Sequence, residues 1–497
     1  MSQSTLERDA IDLAGFGYRQ RLDRTLGAFS AFAAGFSYLS VLTGSSQLFH
    51  LGYAAGGPAF FWTWPAVFAG QFLVALCFAE LAARYPLSGG VYQWSKQIGS
   101  APVGWMAGWV YLACSIITLA STALALQAAL PSISPWFQLI GRPDEPADAA
   151  RNAVLLALGL VVATTVANAV GVRRLARINN AGVVVEMLGV LLLIVLLAWA
   201  AKRGPAVVFD GMDRGAGHSL GYLAPALGAS LMATFVLYGF DTAGTLAEET
   251  DDPRRRAPKA ILLALASVGV GGSALVFVAL RAAPDLNDPA LGRVGALAWI
   301  VKGALGSALG TPFLAVMVCS IVVCTLTVHA AAVRLIFSMA RDNALPFSHA
   351  LARVEEGTRT PALPALVVGV AAAVLLALNA NHPQVIAALA SVAVVWANLA
   401  YLFVTTPQLW RRCRGASPAA TAGFALRRWG PVVNLSAVIW GMIVVVNIGW
   451  PRPEVYGEGL LGRYGAAPAT AALIVGGLVY DRLVRRRRGG VLDDHRA

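Results

Sequence analysis

Residues 231–250 read LMATFVLYGFDTAGTLAEET, an apolar run interrupted by Asp241, with Gly239 and Gly244 close on either side. A carboxylate is costly in lipid, so Asp241 should face a cavity or a partner inside the protein. The two glycines allow the helix to unwind, and unwound backbone at membrane depth is tolerated only inside protein or along a water-filled path. The stretch therefore predicts a broken transmembrane helix, with which many secondary transporters build a substrate site. The alternative is a kinked helix whose aspartate bonds a neighbouring hydroxyl.

The composition places this stretch in a membrane protein. Hydrophobic residues make up 57% of the chain, charged residues 13%, and the mean hydropathy is +0.65, which excludes a soluble globular protein. The net charge of +12 is spread over alternate loops instead of one patch, which argues against a nucleic-acid partner. The five cysteines lack metal-ligand spacing and are expected to be free, so neither a metal site nor a disulfide is predicted.

Twelve apolar segments are long enough to cross a bilayer, which takes about 20 residues for each helix. They lie at residues 26–49, 58–82, 103–130, 152–171, 179–201, 222–246, 258–280, 311–340, 361–378, 384–406, 431–450 and 466–483. Most of the 38 Lys and Arg residues fall in the tails and in alternate loops on one side. The apolar runs predict an all-α, multi-pass protein, expected in the plasma (inner) membrane, and the charge bias places both termini in the cytoplasm.

The first predicted span is also interrupted near its middle. Residues 26–49 read LGAFSAFAAGFSYLSVLTGSSQLF, with Ser40, Thr43, Gly44 and Ser45 inside the apolar run. Broken helices at the first and sixth positions, entering from opposite sides, indicate two five-helix halves related by an inverted repeat. The predicted organisation is a cytoplasmic tail (1–25), a ten-helix core (26–406, with repeats at about 26–201 and 222–406), a cytoplasmic loop (407–430), two peripheral helices (431–483) and a basic cytoplasmic tail (484–497).

Several loops carry recognisable motifs. Residues 78–94 read FAELAARYPLSGGVYQW, residues 247–261 read AEETDDPRRRAPKAI, and residues 333–348 read VRLIFSMARDNALPFS. With the Gly-Phe-Asp-Thr-Ala pattern at 239–243, the chain resembles the amino acid–polyamine–organocation transporter superfamily, and within it the branch of amino acid, gamma-aminobutyrate and choline permeases. The resemblance implies a leucine-transporter-like fold with ten core helices. It also implies alternating access around a site between helices one, three, six, eight and ten.

Breaks expected at Thr43-Gly44 and at Gly239-Phe240 would supply the chemistry that such a site needs. A half-helix N-terminus offers backbone amides for a carboxylate, and a half-helix C-terminus offers carbonyls for an ammonium. We expect the substrate carboxylate at the backbone of residues 43–45 and the ammonium at carbonyls of Ser40 and Tyr238. Tyr238 and Phe240 should cover the substrate, with Trp396 and Tyr401 as weaker candidates. The full expected set is Ser40, Thr43, Gly44, Ser45, Tyr238, Gly239, Phe240, Asp241 and Thr242.

Two acids inside the spans are candidates for ion coupling. Asp241 and Glu186 are expected to take up and release a proton. Asp241 could instead stay ionised and pair with a cationic substrate, and Glu186 could be a structural hydrogen-bonding residue. Sodium is the rival driving ion, with Ser320, Thr325 and Thr327 of the eighth span as hydroxyl ligands.

Charged residues at the inner ends of the spans predict a gate. Glu80 is expected to pair with Arg84, and Arg341 and Asp342 to form a network with residues 254–256 that breaks when the site opens inward. The expected gate residues are thus Glu80, Arg341 and Asp342.

The function expected from these patterns is secondary active transport of amino acids or related amines, coupled to protons. A sodium-coupled symporter, an exchanger of amino acids or of amines such as gamma-aminobutyrate, choline or polyamines, and a transporter-like nutrient sensor remain as alternatives. An enzyme is not expected, because no nucleophile or metal constellation lies within the spans. The partners are a small-molecule substrate and membrane lipid, and no cofactor is expected beyond an ion gradient.

Overall fold

The computed structural model describes residues 11–22, 24–143, 145–169, 171–355, 360–382, 384–415, 423–456, 464–488 and 490–496. In these residues the regular structure is helical, apart from two isolated β-bridges that join Tyr18 to Arg496 and Leu26 to Thr250. Within the described residues, nine helices are long and apolar enough to cross a membrane, and the first of them covers two predicted spans. Two shorter apolar helices, Leu223–Val236 and Ala362–Leu378, lie at the sixth and ninth spans. The chain is therefore a multi-pass helical membrane protein.

The described part of the first half of the chain contains ten α-helices, which we number in chain order. They are α1 Ala28–Leu39, α2 Val41–Gly56, α3 Thr63–Arg84, α4 Gly90–Ile98, α5 Ala101–Leu124, α6 Leu126–Ile133, α7 Pro146–Ala169, α8 Val172–Trp199, α9 Leu223–Ala229 and α10 Leu231–Val236. The remaining helices are α11 Thr242–Thr245, α12 Pro253–Ala282, α13 Ala296–Arg341, α14 Ser348–Leu351, α15 Ala362–Leu378, α16 Val385–Cys413, α17 Gly430–Gly449, α18 Pro453–Tyr456 and α19 Ala467–Leu483. The first span consists of α1 and α2, and the sixth consists of α9, α10 and α11.

The broken spans lie at the centre of the bundle. Helix α13 packs on α2, α5 and α8, while α16 packs on α5 and α17, and α12 on α1 and α3. The two breaks touch each other: a Cβ on Gly44 would lie 2.3 Å from Val236 Cγ2, and one on Gly239 would lie 2.0 Å from the Tyr38 ring. The absence of a side chain at both glycines is thus what allows the broken helices to meet.

Apolar residues of the outer helices remain exposed, as a lipid-facing surface requires. On α8, Leu188, Leu191 and Val195 are each largely exposed, and α17 exposes Val432 and Val446 in the same way. Helix α13 contains one non-helical residue, Gly306, so a short helix precedes the eighth span. The described segments nearest the two chain ends meet at one face of the bundle, which we call the tail face: it carries residues 11–22, 24–26, 484–488 and 490–496 and helix α4.

Candidate functional site

The first span breaks at a single residue, Ser40. Its φ of 29° lies outside the helical region and separates α1 from α2. The side chain of Ser40 then caps α2, accepting a hydrogen bond from the Thr43 amide at 3.2 Å. The expectation of a break at Thr43 and Gly44 is therefore corrected, because the capping hydroxyl starts the new helix three residues earlier. Thr43, Gly44 and Ser45 lie in the first turns of α2, and the Ser45 hydroxyl is buried with no hydrogen-bond partner among the described residues.

Glu186 occupies the N-terminus of α2. Its Oε1 accepts hydrogen bonds from the Ser40 hydroxyl at 2.8 Å and from the Leu42 amide at 3.3 Å. A carboxylate is favoured at this position by the positive end of the helix dipole and by the amides that have no helical partner. A carboxylate of the protein itself thus lies beside the amides of residues 43–45 that were expected to bind a ligand carboxylate, although it bonds to the Leu42 amide and not to them.

The sixth span loses its helical form between Val236 and Thr242. Gly239 has a φ of 95°, a conformation that side chains rarely adopt. Its amide donates to the Tyr401 hydroxyl at 2.8 Å, and its carbonyl accepts from the Thr242 hydroxyl at 2.8 Å. The polar backbone groups of Gly239 at the break are therefore satisfied by side chains, as burial demands. The structure therefore has the second break at Gly239 and Phe240, where the sequence predicts it.

Asp241 is completely buried beside this break. Its Oδ1 accepts hydrogen bonds from Tyr111 of α5 at 2.7 Å and from Tyr401 of α16 at 2.6 Å. Its Oδ2 is buried without a hydrogen-bond partner, and in the described part of the chain Asp241 forms no ion pair. An unpaired oxygen on a buried carboxylate carries a free-energy cost of about 1–3 kcal/mol or more. The site is therefore chemically incomplete and suited to receive a proton or a cationic group.

A small cavity lies between the two breaks. Its volume is about 10 Å³, close to the smallest space that holds one water molecule. The Tyr238 hydroxyl closes one side through a 2.7 Å hydrogen bond to Thr118, and the Tyr38 hydroxyl is buried with no partner among the described residues. The cavity is lined by Tyr38, Leu39, Thr43, Gly44, Thr118, Thr122, Phe235, Val236, Tyr238 and Cys324. The broken spans are thus packed closely together at this point, and the cavity is closed.

The remaining aromatic candidates lie elsewhere. Phe240 packs in an aromatic cluster with Phe78 and Tyr401, at ring distances of 5.8 and 5.3 Å, and it is not part of the described cavity wall. Trp396 donates to Thr470 of α19 at 2.9 Å. Sequence reasoning missed Tyr111 and Thr118 because a hydroxyl in a membrane helix is common. The only available signal was that such a group needs a partner.

Two buried ion pairs connect the sixth and eighth spans at the tail face. Arg341 forms a bidentate pair with Glu248, at 2.6 and 2.8 Å, and both side chains are 1% exposed. Arg334 pairs with Glu249 at 2.9 Å and is equally buried. Arg341 therefore has a partner from the adjacent acidic motif, and the expected network with residues 254–256 is corrected.

Those arginines contact other acids. Arg254 pairs with Asp12 at 2.6 Å, and Arg256 pairs with Asp251. The reason is the position of the first turn of α12, which follows Asp251 closely and lies beside the N-terminal segment that carries Asp12.

Asp342 is the centre of a second cluster. It accepts hydrogen bonds from Lys96 at 2.6 Å, from Tyr18 at 2.8 Å and from Tyr92 at 2.7 Å. The carboxylate thus connects the end of α13 to helix α4 and to the N-terminal segment. Its negative charge raises the pKa of Lys96, although burial of the ammonium opposes this effect.

Glu80 has a partner other than the one expected. It pairs with Arg412, accepts from Gln408 at 3.0 Å and accepts from the Leu426 amide at 3.1 Å. Arg84 lies over the Tyr85 ring at 5.3 Å instead. The pairing with Arg84 is therefore corrected, because α16 and the following loop bring a cation and an amide to the inner end of α3.

The hydroxyls proposed as sodium ligands bond mainly to their own helix. Ser320 donates to the Val316 carbonyl at 3.0 Å, and Thr325 donates to the Ile321 carbonyl at 2.7 Å. Thr327 also joins a polar chain, donating to Asn179 at 2.7 Å and lying 3.0 Å from the Ser37 hydroxyl. Of the expected coupling residues, only Glu186 and Asp241 lie at the breaks themselves.

The sequence of the chain is similar to those of known permeases. A family model described as "Amino acid permease" matches residues 26–458. The chain is 26% identical to the amino-acid permease BAT1 of Arabidopsis thaliana over 474 residues, covering 91% of this chain and 90% of that protein. It is 24% identical to the GABA-specific permease of Saccharomyces cerevisiae, covering 89% and 78%. It is 25% identical to the low-affinity putrescine importer PlaP of Escherichia coli, covering 61% and 64%.

A solved structure shares the architecture. The crystal structure of MhsT in complex with L-phenylalanine superposes with a TM-score of 0.59 at 16% identity, covering 86% of this chain and 99% of that one. The likeness confirms the expected leucine-transporter-like fold, with broken first and sixth helices at its centre.

Proposed function

The chain belongs to the amino acid permease family, and from this premise we propose that it is a secondary active transporter of amino acids or related amines. The relatives are named permeases, which supports transport over catalysis. We place the tail face in the cytoplasm and the bundle in the plasma membrane, on the distribution of Lys and Arg along the sequence. Transport then proceeds by alternating access, with the closed cavity between the breaks as the substrate site.

The observation that carries this proposal is the state of Asp241. The carboxylate is fully buried, its Oδ1 is held by two tyrosine hydroxyls, and its Oδ2 has no partner among the described residues. Such a group is stabilised by adding either a proton or a substrate ammonium at Oδ2. A structural aspartate would be expected to have both oxygens bonded. The open oxygen therefore favours a working role over a structural one.

Proton coupling follows from the hydrogen bonds at Oδ1. A hydrogen bond to an ionised acceptor is roughly twice as strong as one between neutral groups. Protonation of Asp241 therefore weakens its bonds to Tyr111 of α5 and Tyr401 of α16, so α11 is held less tightly against both helices. Loss of the proton to the cytoplasm restores the stronger hydrogen bonds from Tyr111 and Tyr401. One proton can in this way change how firmly the broken sixth span is attached to its neighbours.

Glu186 is the second proposed coupling residue. Ionised, it caps α2 through Ser40 and Leu42 and holds the first break in its present form. A substrate carboxylate that approaches the N-terminus of α2 competes with Glu186, because two negative charges close together are unfavourable there. Protonation of Glu186 relieves that conflict, so binding of a zwitterion and of a proton are linked. A substrate without a carboxylate is not subject to this competition.

The experiment is uptake into proteoliposomes. Labelled amino acids, gamma-aminobutyrate, choline and polyamines are tested with an inward proton gradient and no sodium. Wild type is compared with Asp241→Asn and Glu186→Gln. The matched control is Asp493→Asn, which removes a carboxylate whose side chain is 95% exposed. We expect gradient-driven uptake of one class in wild type and in the control, and loss of the gradient dependence in Asp241→Asn.

Two results would contradict the proposal. Absence of uptake for every compound under proton, sodium and exchange conditions, in protein that folds normally, argues against transport altogether. Uptake that needs sodium or internal substrate, and is indifferent to the proton gradient, removes Asp241 and Glu186 from proton coupling.

A further inference from the structure

The C-terminal segment returns to the bundle after the last helix. Helix α19 ends at Leu483, and residues 491–496 lie against the tail face, where Leu492 and His495 are each 7% exposed. The sequence analysis treated residues 484–497 only as a basic tail. Burial of two side chains from so polar a segment requires a specific docking surface.

One side of this surface is the end of α13. The Leu492 amide donates to the Arg341 carbonyl at 2.9 Å, and the His495 ring lies 5.7 Å from the Phe337 ring in an edge-to-face arrangement. Arg488 also donates to the Leu345 carbonyl just beyond the helix. The segment is thus fixed to the same turns of α13 that carry the buried arginine of the tail-face ion pair.

The other side is the N-terminal segment before α1. The Arg19 amide donates to the His495 carbonyl at 2.9 Å, Arg21 donates to the Asp494 carbonyl at 3.1 Å, and Tyr18 forms an antiparallel β-bridge with Arg496. The C-terminal segment therefore holds both the N-terminal segment and α13.

The N-terminal segment is itself part of the closed tail face. The Tyr18 hydroxyl donates to Asp342 at 2.8 Å, and the Arg341 guanidinium lies 4.0 Å from the centre of the Tyr18 ring. The amides of Thr25 and Leu26 then donate to the Glu249 carbonyl at 3.0 and 2.9 Å. Opening of this face requires that these contacts separate.

The broken and unbroken helices indicate which parts move. Helix α1 ends at the break at Ser40, so α1 and the segment before it can swing as a unit about that residue. Helix α13 has no break between Gly306 and Arg341 and serves as the fixed side. A segment bonded to both sides opposes their separation.

We propose that residues 491–496 form a C-terminal clasp that holds the tail face closed, so that the rate of transport depends on how often the clasp undocks. The clasp is an autoinhibitory contact within the chain. Its presence is independent of which substrate the protein carries, and it rests on the proposed function only for the transport readout.

The charges around His495 make the clasp sensitive to pH. Burial lowers the pKa of His495 below its usual value of 6.5, Arg341 and Arg21 lower it further, and Asp494 acts in the opposite direction. The docked segment therefore prefers the neutral imidazole. Docking is fully favourable above pH 6.5 and weakens as the pH falls below 6.5, because the undocked histidine then gains a proton that the docked one resists.

The test uses a native thiol as the reporter of opening. Cys324 lines the closed cavity and is 2% exposed, whereas Cys413 is exposed and Cys319 partly exposed. In a Cys413→Ser, Cys319→Ser background, mass spectrometry of the peptide that carries Cys324 distinguishes this thiol from the buried Cys77 and Cys114. The rate at which a membrane-impermeant maleimide applied to the tail face alkylates Cys324 then reports how often that face opens. The measurement needs no substrate.

Three variants are compared in this background. The first ends the chain after Arg488, the second is Leu492→Asp, which places a charge in the docking surface, and the control is Asp493→Asn, whose side chain points to solvent. We expect alkylation of Cys324 and the initial rate of uptake to rise about tenfold in the first two variants, since several hydrogen bonds are lost. The control should match the parent protein.

The outcomes separate the two proposals. Unchanged alkylation of Cys324 in both the truncated chain and Leu492→Asp, with normal folding by size-exclusion chromatography, overturns the clasp. Faster alkylation without uptake of any compound supports the clasp and contradicts the proposed transport function. If the truncated chain does not fold, Leu492→Asp alone decides.

Discussion

Replacing Glu248 by glutamine should open the tail face, because it removes the charge that balances a buried cation. Arg341 donates to both carboxylate oxygens of Glu248, at 2.6 and 2.8 Å, and both side chains are 1% exposed. Glutamine keeps one acceptor oxygen and loses the negative charge. The guanidinium then keeps the amide oxygen, the face of the Tyr18 ring 4.0 Å away and the nearby charge of Asp342, but it loses its bidentate counter-ion.

The size of the effect follows from the burial. Removal of one partner from a buried ion pair costs about 3–5 kcal/mol, because the other charge is left uncompensated. Because glutamine retains one acceptor oxygen, we take the cost of this substitution as about 3 kcal/mol, the lower end of that range. The cost applies to the closed state alone if water reaches Arg341 when the tail face opens. Since 1.4 kcal/mol is a factor of ten, the ratio of open to closed molecules should rise about 100-fold.

The assay is alkylation of Cys324 from the tail face in the background without Cys413 and Cys319. A 100-fold change in the open population appears as a change of the same order in the alkylation rate, up to the intrinsic rate of the thiol. The distant, partly exposed pair between Arg151 and Asp148, 3.9 Å apart, provides the control. Arg151→Gln should change the rate less than about threefold, as surface pairs contribute little.

A double substitution separates charge from packing. Replacing both Glu248 and Arg341 by methionine removes both buried charges together, and such exchanges are often neutral. We expect the double variant to be closer to the parent protein than Glu248→Gln is. The reasoning is refuted if Glu248→Gln leaves alkylation unchanged, or if the double variant opens more than the single one.

Three further predictions concern the break and the tail. Tyr401→Phe leaves the Gly239 amide without its acceptor and removes one donor to the buried Asp241 carboxylate. It should therefore lower the free energy of unfolding by about 1–3 kcal/mol and weaken the proton dependence of uptake. The control Tyr480→Phe removes a hydroxyl with no partner among the described residues and should be neutral in the same melting and uptake assays. Gly239→Ala forces a side chain into a left-handed conformation at a cost of about 1–2 kcal/mol and also brings it against the Tyr38 ring, so this variant should melt at a lower temperature than wild type. In the control Gly271→Ala the new Cβ meets nothing within 4 Å, and this variant should melt no lower than wild type. After correction for the thiolate fraction, alkylation of Cys324 should become faster as the pH on the tail face falls below 6.5. His495→Gln should abolish that pH dependence, and an unchanged pH profile in this variant would exclude His495 as the sensor.

Much of the architecture is already present in the one-dimensional pattern. Apolar runs of bilayer length predict the spans because lipid admits no unsatisfied backbone. The interruption at residues 239–244 predicts the sixth break because a carboxylate between glycines cannot continue an ordinary lipid-facing helix. These are properties of consecutive residues, so the sequence alone is sufficient for them.

Partners between distant segments are a different matter. From the sequence, Glu80 is assigned to Arg84, four residues further along the chain, and Arg341 to residues 254–256, because both groups lie at predicted inner ends of spans. In the folded bundle Glu80 pairs with Arg412 and Arg341 with Glu248. Hydrogen bonds and ion pairs depend on a few ångströms in space, and nothing in the spacing of charges specifies which helix ends meet.

The sequence by itself determined a multi-pass helical protein with two interrupted helices and an acid at the second interruption. Only the tertiary structure decided that Ser40 is the first break, that Glu186 caps it, and that Tyr111 and Tyr401 hold one oxygen of Asp241 while the other has no partner among the described residues. The reason is physical: periodicity and hydropathy act along the chain and fix which segments enter the membrane. The pairing of buried polar groups is decided by side chains that converge from helices far apart in sequence.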